Sequence, residues 1–142
     1  MTQVATEARQ RVYGLSPANA AHEKAGTVLG RLWLSGDITE PMRQAGERYL
    51  EIYEAAMKAI NAPVGLRTRT AGDSGDVVTE EYEEWAIAAV ARYRTIKNDL
   101  IADGSHSAVH MVAVEDTQPC LPIMVRLMSQ GLARLVVMLG IA

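Results

Sequence analysis

Phenylalanine is absent from the 142-residue chain, and cysteine occurs once, at Cys120. A core must therefore be assembled from Leu, Val, Ile, Met and Ala, with Trp33 and Trp85 as its largest pieces. A single cysteine excludes an intrachain disulfide and fits a reducing compartment. The first residues, "MTQVATEARQRVYG", lack the apolar stretch of a signal peptide. The longest near-apolar run, "LARLVVMLGIA", is too short to span a bilayer and contains Arg134. These features predict a soluble, cytoplasmic protein without a membrane partner.

Strong charge of either sign is also missing. The net charge is −3, and the excess lies in residues 79–142, which hold eight acidic and five basic groups. A dedicated polyanion binder is usually far more basic. No phosphate loop of the G-x-x-x-x-G-K-[ST] type occurs, no H-E-x-x-H, no G-x-S-x-G elbow and no pair of Glu-x-x-His motifs. No catalytic residue, cofactor or metal is assigned on this reading. An enzyme whose site is assembled from distant residues leaves no such local mark.

Helical signals are plentiful. Thr6–Tyr13 reads as a short helix ended by Gly14. Ser16 followed by Pro17 is a strong start signal for the next. Thr27 caps a third helix through Leu29, Leu32 and Trp33, and Gly36 is its left-handed stop. Thr39 opens a long helix over 40–60, with Met42, Ala45, Tyr49, Tyr53, Ala56 and Ile60 as one buried stripe. Thr79 opens a second, over about 80–101, whose buried stripe is Tyr82, Trp85, Ala89, Tyr93, Ile96 and Leu100. Glutamates crowd its first turns, where the helix dipole favours them. Valine alternation and helical spacing overlap over 105–114; we favour a short helix from Ser105 to about Val112. A final helix runs from about Leu121 to Leu139. The predicted fold is an all-α compact bundle of about five or six helices in one domain, with two long amphipathic helices and an apolar C-terminal helix. Residues 61–78 are rich in Gly, Thr and Asp, without helical period, and read as a mobile loop.

Three stretches are candidates for contact. Gly36-Asp37-Ile38-Thr39 between two helices invites comparison with a DNA-reading helix-turn-helix, in which Arg43 and Arg48 would face nucleic acid. The turn is one residue too long, however, and Arg31, Ser35 and Asp37 fall where that motif buries its residues. A packed helical hairpin is the simpler reading, in which Gly30 and Ala45-Gly46 let neighbours approach. Arg67 and Arg69, in "GLRTRT", could grip phosphates bidentately; the alternative is pairing with Asp73 and Asp76. His106 and His110 share a helix face with Asp103, Asp116 and Cys120 near in sequence, but no third ligand stands at a diagnostic metal interval.

The stretch "LGRLWLSGDITEPMRQAGERYLEIY" resembles a pattern of small helical proteins from bacterial prophages and phage-like gene clusters. The ending "LMSQGLARLVVMLGI" resembles the close of the same proteins. The resemblance implies a phage context, such as DNA packaging or regulation, and carries no established activity. The expected function is therefore non-catalytic contact with itself, with a phage or host protein, and with DNA. A stand-alone DNA-binding transcriptional regulator is the alternative, and a small enzyme without a recognisable motif is the third reading. The C-terminal helix carries apolar residues on more than one side, which predicts a homo-oligomer with Leu132, Leu135 and Val136 at its interface; the alternative is a central core helix wrapped by the others within one chain.

Overall fold

The first four α-helices start at capping side chains. In the computed structural model, which describes residues 2–61 and 80–141, helix α1 (Gln3–Tyr13) begins at Thr2, whose hydroxyl accepts from the Ala5 amide. Ser16 caps α2 (Pro17–Ala21) in the same way, accepting from Asn19 N–H at 3.2 Å. Helix α2 ends at His22, whose Nδ1 accepts from Lys24 N–H and starts a separate 3-10 turn, Glu23–Gly26. Thr27 caps α3 (Val28–Leu34) through Gly30 N–H at 3.0 Å. A second cap arrives from far along the chain: Asp116 Oδ1 accepts from Val28 N–H at 2.8 Å.

Thr39 opens α4 (Glu40–Ile60) with its hydroxyl on Met42 N–H. Helix α5 (Glu80–Asp103) is the longest, α6 (His106–Ala113) is short, and α7 (Pro122–Met138) ends the chain's helical part. The fold is all-α, and residues 105–114 belong to a helix and its first and last caps. The expected loop lies outside the described residues except for Asn61, the C-cap of α4; Arg67, Arg69 and Thr79 lie outside them too.

Helix α4 is the central strut. It packs against α5, α7, α6 and α3, so its apolar side chains are used around much of its circumference. Tyr49, Ala45 and Ala56 are fully buried there, and Ile52 and Ala59, beside the predicted stripe, are buried as well. Ile60, which the stripe included, is exposed. The α3–α4 connection is a packed hairpin. Gly36 takes φ +83°, a left-handed turn that favours glycine. A Cβ on Gly30 would lie 1.7 Å from the Lys24 carbonyl oxygen, and one on Gly46 would lie 2.8 Å from Leu29 Cδ1. Those glycines therefore let the 3-10 turn sit directly on α3, and α3 on α4.

The C-terminal helix corrects the interface expectation. Leu132 and Leu135 are 0% exposed within the single chain, alongside Met128, so they belong to its core and cannot also form a contact between copies. Val136 is partly buried against the same core. The face carrying them is covered by α4, α6 and α5 together. Close approach is again local: a Cβ on Gly131 would sit 2.4 Å from Val109 Cγ2 of α6. The large apolar side chains of α7 that remain in solvent are Ile123, Val125 and Val137.

Candidate functional site

The arginine candidates separate sharply. Arg43 is 8% exposed and lies between two carboxylates of its own helix: Nε donates to Glu40 Oε2 at 2.9 Å, NH2 to Glu40 Oε1, and NH1 to Glu47 Oε1 at 2.7 Å. Its guanidinium also stands 5.0 Å over Trp33, and Lys24 reaches Glu47 at 3.7 Å. Hydrogen bonds from Arg43 and Gln44 hold the Glu40 carboxyl down to about 2, and the same carboxylate raises the Arg43 pKa. This corrects the nucleic-acid expectation for Arg43: it fastens the α3–α4 hairpin and is buried. Its spacing of three and four from Glu40 and Glu47 was the available signal. Arg48 is exposed but pairs with Glu51 at 2.8 Å. With α4 packed on several sides, the groove-reading role of the hairpin loses its physical basis.

The histidines have unforeseen partners. His106 and His110 stack at 5.4 Å on α6 and face Tyr49 of α4. The phenol oxygen of Tyr49 lies 3.1 Å from His110 Nδ1 and 3.4 Å from His106 Nε2. Tyr53 packs edge-on to both His110 and Tyr93, with ring centroids 5.0 and 5.5 Å apart. Lys97 stands 5.9 Å over the Tyr93 ring. Five rings from α4, α5 and α6 thus form one cluster.

Its chemistry follows from proton counting. The Tyr49 hydroxyl owns one hydrogen and meets two imidazole nitrogens and the Tyr93 hydroxyl, so it donates to one of these three partners and can accept from the others. Burial raises the Tyr49 pKa, aided by the hydrogen bond with Tyr93, and burial raises Tyr93 also. Burial lowers the His106 pKa, reinforced by repulsion from His110 and Lys97. Both shifts favour neutral groups. Tyr49, Tyr93 and His106 are thus held toward their neutral forms, in a hydrogen-bonded joint between three helices. The acids and thiol expected near the histidines are elsewhere: Asp116 caps α3, Asp103 accepts from Ser105 and Gln130, and Cys120 is exposed. Among the described residues no group of three or more His, Cys, Asp or Glu side chains could hold a metal ion.

A different place has the character of a contact surface. The second half of α5 buries Tyr93, Ile96 and Leu100, whereas its first half extends along the end of α4. There Trp85 is 41% and Ile87 70% exposed, which corrects the prediction that Trp85 lies in the buried stripe. A groove of about 490 Å³ runs beside Ile87, between Ala59 and Ile60 of α4 and Val90 and Arg94 of α5. A second groove, of about 270 Å³, lies on the other flank, between Trp85 and Ile52. Sequence periodicity missed this surface because Ile87 falls outside the stripe that continues into the core. Its signal was an isoleucine amid charged residues on the opposite face.

No protein-family model matches the chain, and neither the curated proteins nor the solved structures give a match. No helix among the described residues is long and apolar enough to cross a membrane.

Proposed function

We propose that this chain is a non-catalytic helical protein of phage type, a cytoplasmic one, that acts through protein contacts made by the α4–α5 end. The observation that carries this reading is the exposure of Ile87 and Ile60 beside an apolar groove, with Trp85 exposed on the second groove of the other flank. Scattered apolar side chains on a surface need no explanation, but a contiguous group beside a concavity is the usual form of a contact site. The Tyr49 cluster gives the scaffold rigidity behind that end: it ties α4 to α5 and α6 a short distance along the same helices.

DNA contact enters the proposal only through Arg67 and Arg69, because Arg43 and Arg48 are held by their own carboxylates. A gel shift across a salt series reads that part, since phosphate-driven binding weakens steeply as salt rises. The main reading is tested by a photo-reactive amino acid placed at position 87, with a second at Thr95 as control, in cells carrying the phage-like genes. Crosslinks at 87 well above the control, with their partners identified by mass spectrometry, are expected. Equal capture at both positions removes the α4–α5 end as the working surface.

A further inference from the structure

The exposed face of α5 carries a charge order that selects its occupant. Glu80, Ile87 and Arg94 stand seven residues apart, nearly two helical turns, and so lie on one stripe about 10 Å from one to the next. Each of the three is exposed. Between them the stripe is filled by Glu83 and Glu84 on one side of Ile87 and by Val90 and Ala91 on the other. Acid therefore lies toward the N-terminus, apolar surface at the centre and base toward the C-terminus. Among the described residues no ion pair engages Glu80, Glu83, Glu84 or Arg94, in contrast to Arg43, Arg48 and Arg134, each of which is paired within the chain.

We propose that the occupant of this surface is a second copy of the same chain, joined by antiparallel pairing of the two α5 helices about a two-fold axis through Ile87. This rests on the reading that the α4–α5 end is the contact surface, and it names the partner. The two-fold axis sets Ile87 against Ile87 of the other copy. It also sets Glu80 of each copy opposite Arg94 of its partner, so one complementary pair appears twice. Parallel pairing does the reverse and places like charges together at both ends. Val90 and Ala91 lie opposite the stems of Glu83 and Glu84, which can cover apolar surface while their carboxylates remain in water. The groove beside Ile87 widens the apolar centre. A two-fold interface must be self-complementary, and a stripe that runs acid, apolar, base satisfies that condition only when reversed on itself.

Sedimentation equilibrium of the purified full chain, at concentrations up to roughly 100 μM, tests this. The expected result is a monomer–dimer equilibrium that Ile87→Asp weakens by about tenfold or more, because two carboxylates then meet at the axis. Helicity by circular dichroism should be retained, since Ile87 is outside the core. Glu80→Arg and Arg94→Glu should each weaken the dimer by roughly threefold, as exposed pairs do. The combined Glu80→Arg, Arg94→Glu variant should recover the parent affinity; parallel pairing instead faces like charges in the parent and in every variant, so there the single changes would have no effect. A monomer throughout that range overturns self-pairing, as does a dimer indifferent to Ile87→Asp or a double variant no better than either single one. If the chain is monomeric while position 87 crosslinks a different protein, self-pairing fails and the contact reading stands. If position 87 captures nothing, both fail.

Discussion

The two halves of α5 share one helix and one predicted stripe, yet they meet different surroundings. From Tyr93 onward the helix lies against α4, α6 and α7, and Tyr93, Ile96 and Leu100 are buried. Before Tyr93 its neighbour is the end of α4, where the facing residues include Ala55 and Ala59, and Trp85 and Ile87 reach solvent. Periodicity states which side chains point the same way. It does not state whether another element stands on that side. The half whose stripe meets three helices serves stability, and the other half is available for contact.

Substitutions in the two halves should separate these roles. The largest effect is expected in the packed half. Leu100 is fully buried, so Leu100→Ala should lose about 2–5 kcal/mol of unfolding free energy in urea titration. Ile87→Ala, measured at a concentration low enough to keep the chain monomeric, should change stability by no more than about 0.5 kcal/mol. Equal losses would erase the distinction between the halves.

Close helix contacts behind the packed half give the next effect. Gly131→Ala pushes a methyl to 2.4 Å from Val109 Cγ2 and to 2.8 Å from Ser105 Oγ, both on or next to α6. Overpacking of this kind should cost about 1–3 kcal/mol by thermal or chemical unfolding. Gly36→Ala meets no atom within 4 Å, but its φ of +83° penalises any side chain, so a loss of roughly 1 kcal/mol is expected there.

A smaller effect depends on pH. The His106 pKa is lowered in the folded protein, chiefly by burial and then by the charges of His110 and Lys97. The unfolded chain therefore takes up a proton first as pH falls. The stability contributed by neutral His106 is fully present above its unfolded value of 6.5 and declines below it, down to the folded pKa. Groups facing the ring are Tyr49, with Lys97 and His110 close by, and none of them supplies a negative charge to offset the loss. Melting temperature should fall between neutral pH and mildly acidic pH, and His106→Gln should flatten that part of the profile. An unchanged profile in the variant would assign the acid loss to another group.

Much of the helical layout was legible in the sequence because it is written locally. Ser16, Thr27 and Thr39 cap where their hydroxyls predict, and α4 begins at Glu40 and ends at Ile60 as its spacing indicates. Tertiary pairing was less legible. Tyr49 meets His106 and His110 across 57 and 61 residues, and Asp116 caps a helix 88 residues away. No local pattern encodes such distances. The cover over Leu132 and Leu135 was not legible for a related reason: apolar residues around a helix show that it is covered, not whether its own chain or another copy covers it. Arg43 was legible in part, since its acids are neighbours in sequence, but its burial against Trp33 depends on how α3 folds back.

Circular dichroism and urea unfolding of Leu135→Asp beside Ile87→Asp test the division between core and contact surface most directly. An unpaired carboxylate buried at position 135 costs several kcal/mol, a large share of a small domain's stability. The expected result is a largely unfolded Leu135→Asp chain and an Ile87→Asp chain with parent helicity and parent unfolding midpoint as a monomer. A helical, cooperatively unfolding Leu135→Asp monomer, together with an unfolded Ile87→Asp chain, would contradict it.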